Sequence, residues 1–137
     1  IQTTIELLNT ILENDSTYAD ALGMRSLNRV TLMFYDGFNF SNEKISQAIN
    51  DAEKALLYDP LNLIGLVALP SAYLAQVQNS TNTSSKIIAA RKALVSINNL
   101  KKLHPDHHLV DVTMGFYYFF KLQNIGRMPV MVLNVSN

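Results

Sequence analysis

The chain has 137 residues, 48% hydrophobic and 16% charged, with 11 Lys+Arg balanced by 11 Asp+Glu. That is one domain's worth of sequence with apolar material for a buried core, and it excludes both a disordered segment and the basic footprint of a nucleic-acid binder. The absence of cysteine excludes disulfides, thiolate nucleophiles and thiolate metal sites, and no run approaches the roughly 18 to 20 apolar residues of a membrane span, so no membrane insertion is expected.

Helical punctuation divides the chain into six runs. The first, residues 2–13, carries Thr4, Leu8 and Ile11 on one stripe and ends at Asp15-Ser16; the second, 17–36, carries Leu22. Gly37-Phe38-Asn39-Phe40-Ser41 leads into a third helix at 42–58, with Ser41 predicted as its N-cap and Glu43 in the first turn, where a negative charge suits the helix dipole. Tyr58-Asp59-Pro60 ends that run, and a fourth follows at 62–78. Pro70 inside it removes one backbone hydrogen bond and is expected to bend the helix. The polar stretch from Asn79 to Ser85 opens a fifth helix, 84–103, and Pro105-Asp106 a sixth, 107–124. Asp106 is predicted to cap this last helix and Gly126 to end it. The sequence opens on Ile1 without Met, as expected of a segment of a longer protein.

The corners repeat. Counting back 12, 8 and 5 residues from Pro60 gives Ala48, Ala52 and Ala55; from Pro105 the same offsets give Ala93, Ile97 and Leu100, and from Ser16 they give Thr4, Leu8 and Ile11. Forward offsets of 6, 9 and 13 from Pro60 give Leu66, Leu69 and Tyr73, and the last two from Pro105 give Met114 and Tyr118. Anchors at 16, 60 and 105 are 44 and 45 residues apart. Helical periodicity between such anchors argues for paired antiparallel helices stacked side by side. The small residues mark points where two helices approach to about 8 to 10 Å, and a single hairpin cannot bury its apolar face, so neighbours must stack.

The phrases Asp15-Ser16-Thr17-Tyr18-Ala19-Asp20-Ala21-Leu22 and Ala48-Ile49-Asn50-Asp51-Ala52-Glu53-Lys54-Ala55-Leu56-Leu57-Tyr58-Asp59-Pro60, with Gly115 and Tyr118 after Pro105, resemble the tetratricopeptide repeat family over nearly the whole chain. The resemblance implies an all-α fold of antiparallel hairpins, about six helices over residues 1–125, wound into a right-handed superhelix. The first helix of each pair would line a concave face that takes a peptide or a partner domain. Departures from the family are specific: repeats of 44 and 45 residues against about 34 in the family, Pro70 where the next copy has Gly115, Asp111 in place of an apolar residue and Arg29 in place of an aromatic one. Degenerate repeats with a Tyr18-Ala19-Asp20-Ala21 phrase are similar in style to C-terminal sensory or scaffold regions of bacterial winged-helix membrane regulators and of some adenylate cyclases. This implies a regulatory part in a larger signalling or transcriptional protein.

On that geometry the concave stripe comprises Met24, Leu27 and Val30 in one unit, Ile64, Val67, Ser71 and Leu74 in the next, and Leu109, Val112, Phe116 and Phe119 in the last. So apolar a stripe is either an interaction site, since large exposed apolar patches are uncommon on monomers, or core covered by tight coiling or flanking helices. The Lys and Asn carboxylate clamp of chaperone-binding relatives is missing, which argues against capture of an acidic C-terminal peptide. The expected partner is another protein or peptide segment, anchored by Phe116 and Phe119, and no nucleic acid. Two other readings are a small apolar ligand held between helices near Pro70 and Tyr73, and a homodimer formed through the last helix and the apolar, β-prone tail in residues 126–137, where Pro129 to Val135 must be covered by something.

Catalysis finds no support. No nucleophile stands beside a base in a recognisable context and no glycine-rich phosphate loop occurs; Asp51 and Glu53 read as a solvated helix face, and no cofactor is expected. His104, His107 and His108 with Asp106 and Asp111 have zinc-compatible chemistry. At a helix boundary, though, His and Asp are ordinary capping choices, and no metal is expected.

Overall fold

All six helical runs form. A computed structural model describes residues 2–126, with α1 at Gln2–Asn14, α2 at Ala19–Tyr35, α3 at Asn42–Tyr58, α4 at Leu63–Asn79, α5 at Thr83–Leu103 and α6 at His108–Ile125. No strand occurs among the described residues, and the apolar tail from Pro129 onward lies outside them. Side-chain caps fix several helix starts: Ser41 Oγ accepts from the Lys44 N–H at 3.1 Å, Asn62 Oδ1 from Gly65 at 2.8 Å and Asn82 Oδ1 from Ser85 at 2.9 Å. Asp106, expected to cap α6, does not. The turn at His104 runs one residue further, so His107 takes the extended N-cap conformation and its Nδ1 accepts from the Leu109 N–H at 3.1 Å. Gly126 ends α6 at φ 73°, a conformation that glycine reaches without a steric penalty. α4 runs through the buried Pro70 to Asn79.

The three anchors are the same corner built three times. The N–H groups of Asp15, Asp59 and His104 donate to Ile11, Ala55 and Leu100 O, and those of Tyr18, Asn62 and His107 donate back to the carbonyls of Asp15, Asp59 and His104. Successive corners also hold each other. Asn62 Nδ2 donates to Asp20 Oδ1, and the His104 ring Nε2 lies 3.1 Å from Leu61 O.

Above the corners the helices form two layers. α2 packs on α4 and α4 on α6, whereas α1, α3 and α5 touch only members of the even-numbered set. Partners within a hairpin run antiparallel: Leu66 near the start of α4 clusters with Leu100 near the end of α5, while Leu74 and Val77 cluster with Ala89, Ala90 and Ala93. Ala48, Ala52, Ala55 and Ala93 are 0% exposed, the consequence of close approach at the offsets that carry small side chains. A closer approach still occurs at two glycines. A Cβ on Gly23 would stand 2.9 Å from the Gly65 backbone nitrogen and 3.0 Å from Ile64 Cγ2, and one on Gly65 would stand 3.1 Å from Ala55 Cβ.

One expectation about charge fails. Glu53 is exposed, but Asp51 is 3% exposed and lies between α2 and α3. Its Oδ1 accepts from Arg25 Nη2 at 2.7 Å and its Oδ2 from Arg25 Nε at 2.8 Å and Arg29 Nε at 3.3 Å. Arg25 Nη1 continues to Asn9 Oδ1 on α1 at 2.9 Å, and Arg29 Nη1 to Gln47 Oε1 at 3.0 Å. The hydrogen bond with Asp51 holds the Arg25 guanidinium above its already high ordinary value, against the opposing effect of burial. The bidentate fork that Arg25 presents to Asp51 is what arginine supplies and lysine does not, while Arg29 adds one bond to the same carboxylate and one to Gln47.

Gly23→Ala should lower unfolding free energy by about 2 kcal/mol, because the new methyl meets backbone that cannot rotate away, while Gly115→Ala, in open space on α6, should raise it by about 0.5 to 1 kcal/mol through helix propensity; urea denaturation measures both. Asp51→Ala should cost about 3 kcal/mol in the same measurement, since it strands two part-buried guanidinium groups.

Candidate functional site

The layer made by α2, α4 and α6 encloses a groove of about 430 Å³. α2 supplies Leu27, Val30, Thr31 and Phe34; α4 supplies Val67, Ser71 and Leu74; α6 supplies Leu109, Val112, Thr113, Phe116 and Phe120. No residue of α1, α3 or α5 lines it.

Each wall contributes one hydroxyl, and each turns back on its own helix. Thr31 Oγ1 donates to Leu27 O at 2.8 Å, Ser71 Oγ to Val67 O at 2.8 Å and Thr113 Oγ1 to Leu109 O at 2.6 Å. With those donors committed, the surface left to an occupant is side-chain carbon. Val112 is 47% exposed and Phe116 56% exposed on the α6 rim, whereas Val30 and Leu74 form the floor at 5% and 3%. Phe34 and Phe120 close one end with ring centroids 5.4 Å apart. Behind them Phe40 packs edge-on to Phe34 at 4.9 Å, and the exposed Phe38 stands at 5.8 Å from the same ring. Phe38 holds φ 59° directly after Gly37 at φ 65°, an unfavourable backbone region for a bulky residue that aims its ring at Phe34 and Phe40.

Eight of the eleven residues expected on the concave stripe lie together in this groove: Leu27, Val30, Val67, Ser71, Leu74, Leu109, Val112 and Phe116. Met24, Ile64 and Phe119 do not line it. Ile64 is used instead where α2 crosses α4, with its Cγ2 over Gly23. On α6 the lining passes from Phe116 to Phe120, a step of four, which leaves Phe119 60% exposed on another flank. Phe34 and Phe120 continue the helical spacing of Val30 and Phe116 and could have been found by extending the stripe one turn. Thr31 and Thr113 carry no such signal, because nothing in the sequence shows a hydroxyl turned back on its own helix.

Tyr73 lines a shallow concavity on the α5 side with Leu69, Lys92, Val95 and Lys102, separate from the groove, and Pro70 is buried. His107 stacks on His108 with centroids 4.5 Å apart, and no group of three or more His, Asp or Glu side chains is placed to hold a metal ion among the described residues. No described helix is long and apolar enough to cross a membrane.

α6 is held against α5 and α4 by Tyr117 and Phe120, 3% and 8% exposed. Burial, and to a lesser degree the neighbouring Tyr118, raise the Tyr117 phenol above its ordinary value of 10.0. A folded value above the unfolded one makes this contribution to stability complete below about pH 10 and lost as pH rises through the raised value, because the unfolded chain releases its proton first. Stability should therefore fall with alkalinity above about pH 10, and Tyr117→Phe should flatten that limb in denaturant titrations run between pH 8 and 11. No protein-family model, curated protein or solved structure matches this chain, so what the groove does has to follow from its own residues.

Proposed function

We propose that this chain is a protein-interaction module, a degenerate repeat of the tetratricopeptide type in which α2, α4 and α6 form the concave side of a right-handed superhelix. The groove holds an apolar segment of another polypeptide, as the regulatory or scaffold part of a larger bacterial signalling or transcriptional protein. The observation that carries this reading is the lining itself: three walls with every hydroxyl bonded to its own backbone and an aromatic rim at Phe116 that stays 56% exposed. Apolar surface left in water costs roughly 25 cal/mol per Å², and a segment that covered the rim would recover that cost without losing any hydrogen bond of the groove.

The floor and the rim divide the work. Leu74 and Val30 are core and would be there in any stacked helical protein. Phe116 and Val112 are the anchors, rigid and placed above a concave floor, as the energetically dominant residues of interfaces commonly are. No lysine or arginine lines the groove, so the occupant binds through aliphatic or aromatic side chains and not through a carboxylate.

Peptides selected from a random display library against the intact chain should carry an apolar consensus and should lose about thirtyfold in affinity for Phe116→Asp, the scale of a central anchor. The substitution is at an exposed site and should leave the thermal unfolding midpoint nearly unchanged. Selected peptides that are polar, or that bind wild type and Phe116→Asp alike, would show that the groove is not the binding site.

A further inference from the structure

The spacing of 44 and 45 residues that relates the corners also aligns the helices that follow them. Leu22, Ser26, Arg29 and Met33 of α2 stand in register with Leu66, Pro70, Tyr73 and Val77 of α4, and these with Asp111, Gly115, Tyr118 and Leu122 of α6. On α2 the face is sealed by α3. Leu22, Ser26 and Met33 are 3%, 0% and 2% exposed, Ser26 Oγ donates to Ala48 O at 2.6 Å and Arg29 pairs with Asp51. On α4 it is sealed by α5, with Leu66, Pro70 and Val77 buried and the Lys92 ammonium 6.0 Å from the Tyr73 ring centroid. On α6 all four positions are exposed. Tyr118 is 53% and Leu122 59% exposed, Phe119 beside them is 60% exposed, and a Cβ on Gly115 would meet nothing within 4 Å.

The two sealed copies describe what fits the open one. The covering helix runs antiparallel and presents Ala48, Ala52 and Ala55 in α3, or Ala93, Ile97 and Leu100 in α5, all 0% exposed. Residues spaced by four and then three positions lie on one helical stripe, and small ones permit the close approach that α2 and α4 accept. The end of the cover lies over the start of the covered helix, where Ala55 clusters with Leu22 and Leu100 with Leu66. In α6 that position is Asp111. An apolar residue set against it would strip water from a carboxylate with nothing in return, whereas a cation would pair with it.

From this we infer that the outer flank of α6 is a docking site for an amphipathic helix of another protein, antiparallel to α6, with small or aliphatic residues at that spacing and Lys or Arg opposite Asp111. Gly115 sets the depth of approach, while Tyr118, Phe119 and Leu122 provide the apolar area. This flank is distinct from the one that carries Val112 and Phe116 into the groove, so the inference stands or falls apart from the groove reading.

Two fluorescent peptides with the α5 sequence Thr83–Leu103, one carrying Leu100→Lys and one Leu100→Glu, test the site by anisotropy titration against the intact chain. The Lys peptide should bind about tenfold more tightly than the Glu peptide, the scale of replacing a repulsive contact by an attractive, partly buried one. Asp111→Lys should reverse the order, and Leu122→Asp should weaken both peptides while Phe116→Asp leaves both unchanged. Absence of binding, equal affinities, or an order that Asp111→Lys does not reverse overturns the proposal. Binding insensitive to Leu122→Asp would mean that the peptides displace α5 from α4, and binding that appears only after deletion of residues 127–137 would mean that the chain covers the flank itself; either result overturns it as well.

Discussion

The crossing of α2 and α4 at Gly23 and Gly65 is the contact on which the rest of the molecule depends. With 2.9 Å between a would-be Cβ and the facing backbone nitrogen, no residue larger than glycine fits there without separating the two helices. The spacing of α2 and α4 is also the width of the groove, since these helices supply seven of its lining residues. The same glycine at position 65 receives Ala55 of α3, so one backbone crossing registers three helices at once. Larger side chains at the crossing would push the two axes toward the far end of the roughly 8 to 10 Å range of packed helices; glycine removes the ridge.

The buried charge does a different job. Burying a carboxylate is expensive, and apolar replacements for such pairs often match or exceed them in stability, so Asp51 is better understood through the geometry it imposes. Its two oxygens take three N–H donors from two arginines one helical turn apart, and Arg25 passes on to Asn9. Three helices are thereby pinned in rotation as well as in distance, which a smooth alanine stripe cannot do alone.

How much of this was legible in the sequence depends on the physics behind each feature. Helix ends were readable to within two residues because proline, glycine and short polar residues act locally. The corners at 15–18, 59–62 and 104–107 were readable because a repeated turn leaves a repeated spacing. Asp51 was misread as solvated, since its partners lie 26 and 22 residues away and nothing near Asp51 in the chain announces them. Asp106 was misread as a cap through a shift of one residue in a turn. On the stripe, Phe119 and Phe120 are both apolar neighbours, and only the accumulated rotation of α6 decides which one faces Phe34. Ile64 was lost to a contact with glycine, a residue that periodicity counts as silent.

Among the described residues, helix backbones pack closely only on helices one or two places away in the chain, with the Phe34–Phe120 ring contact joining α2 to α6 over a longer span. Ordering such a structure requires closing only short loops, so its relative contact order is low and folding is expected to be fast. It also makes the molecule resemble a zipper in its energetics, each unit stabilised by what flanks it. α1 and α6 have fewer flanking elements than α2 or α4, so fraying would start at the outer helices while the middle pair persists. Anything that seats on α6 would then act as an end-stop, suppressing the first step of disassembly far from the groove's floor and altering how long the rim is held in shape.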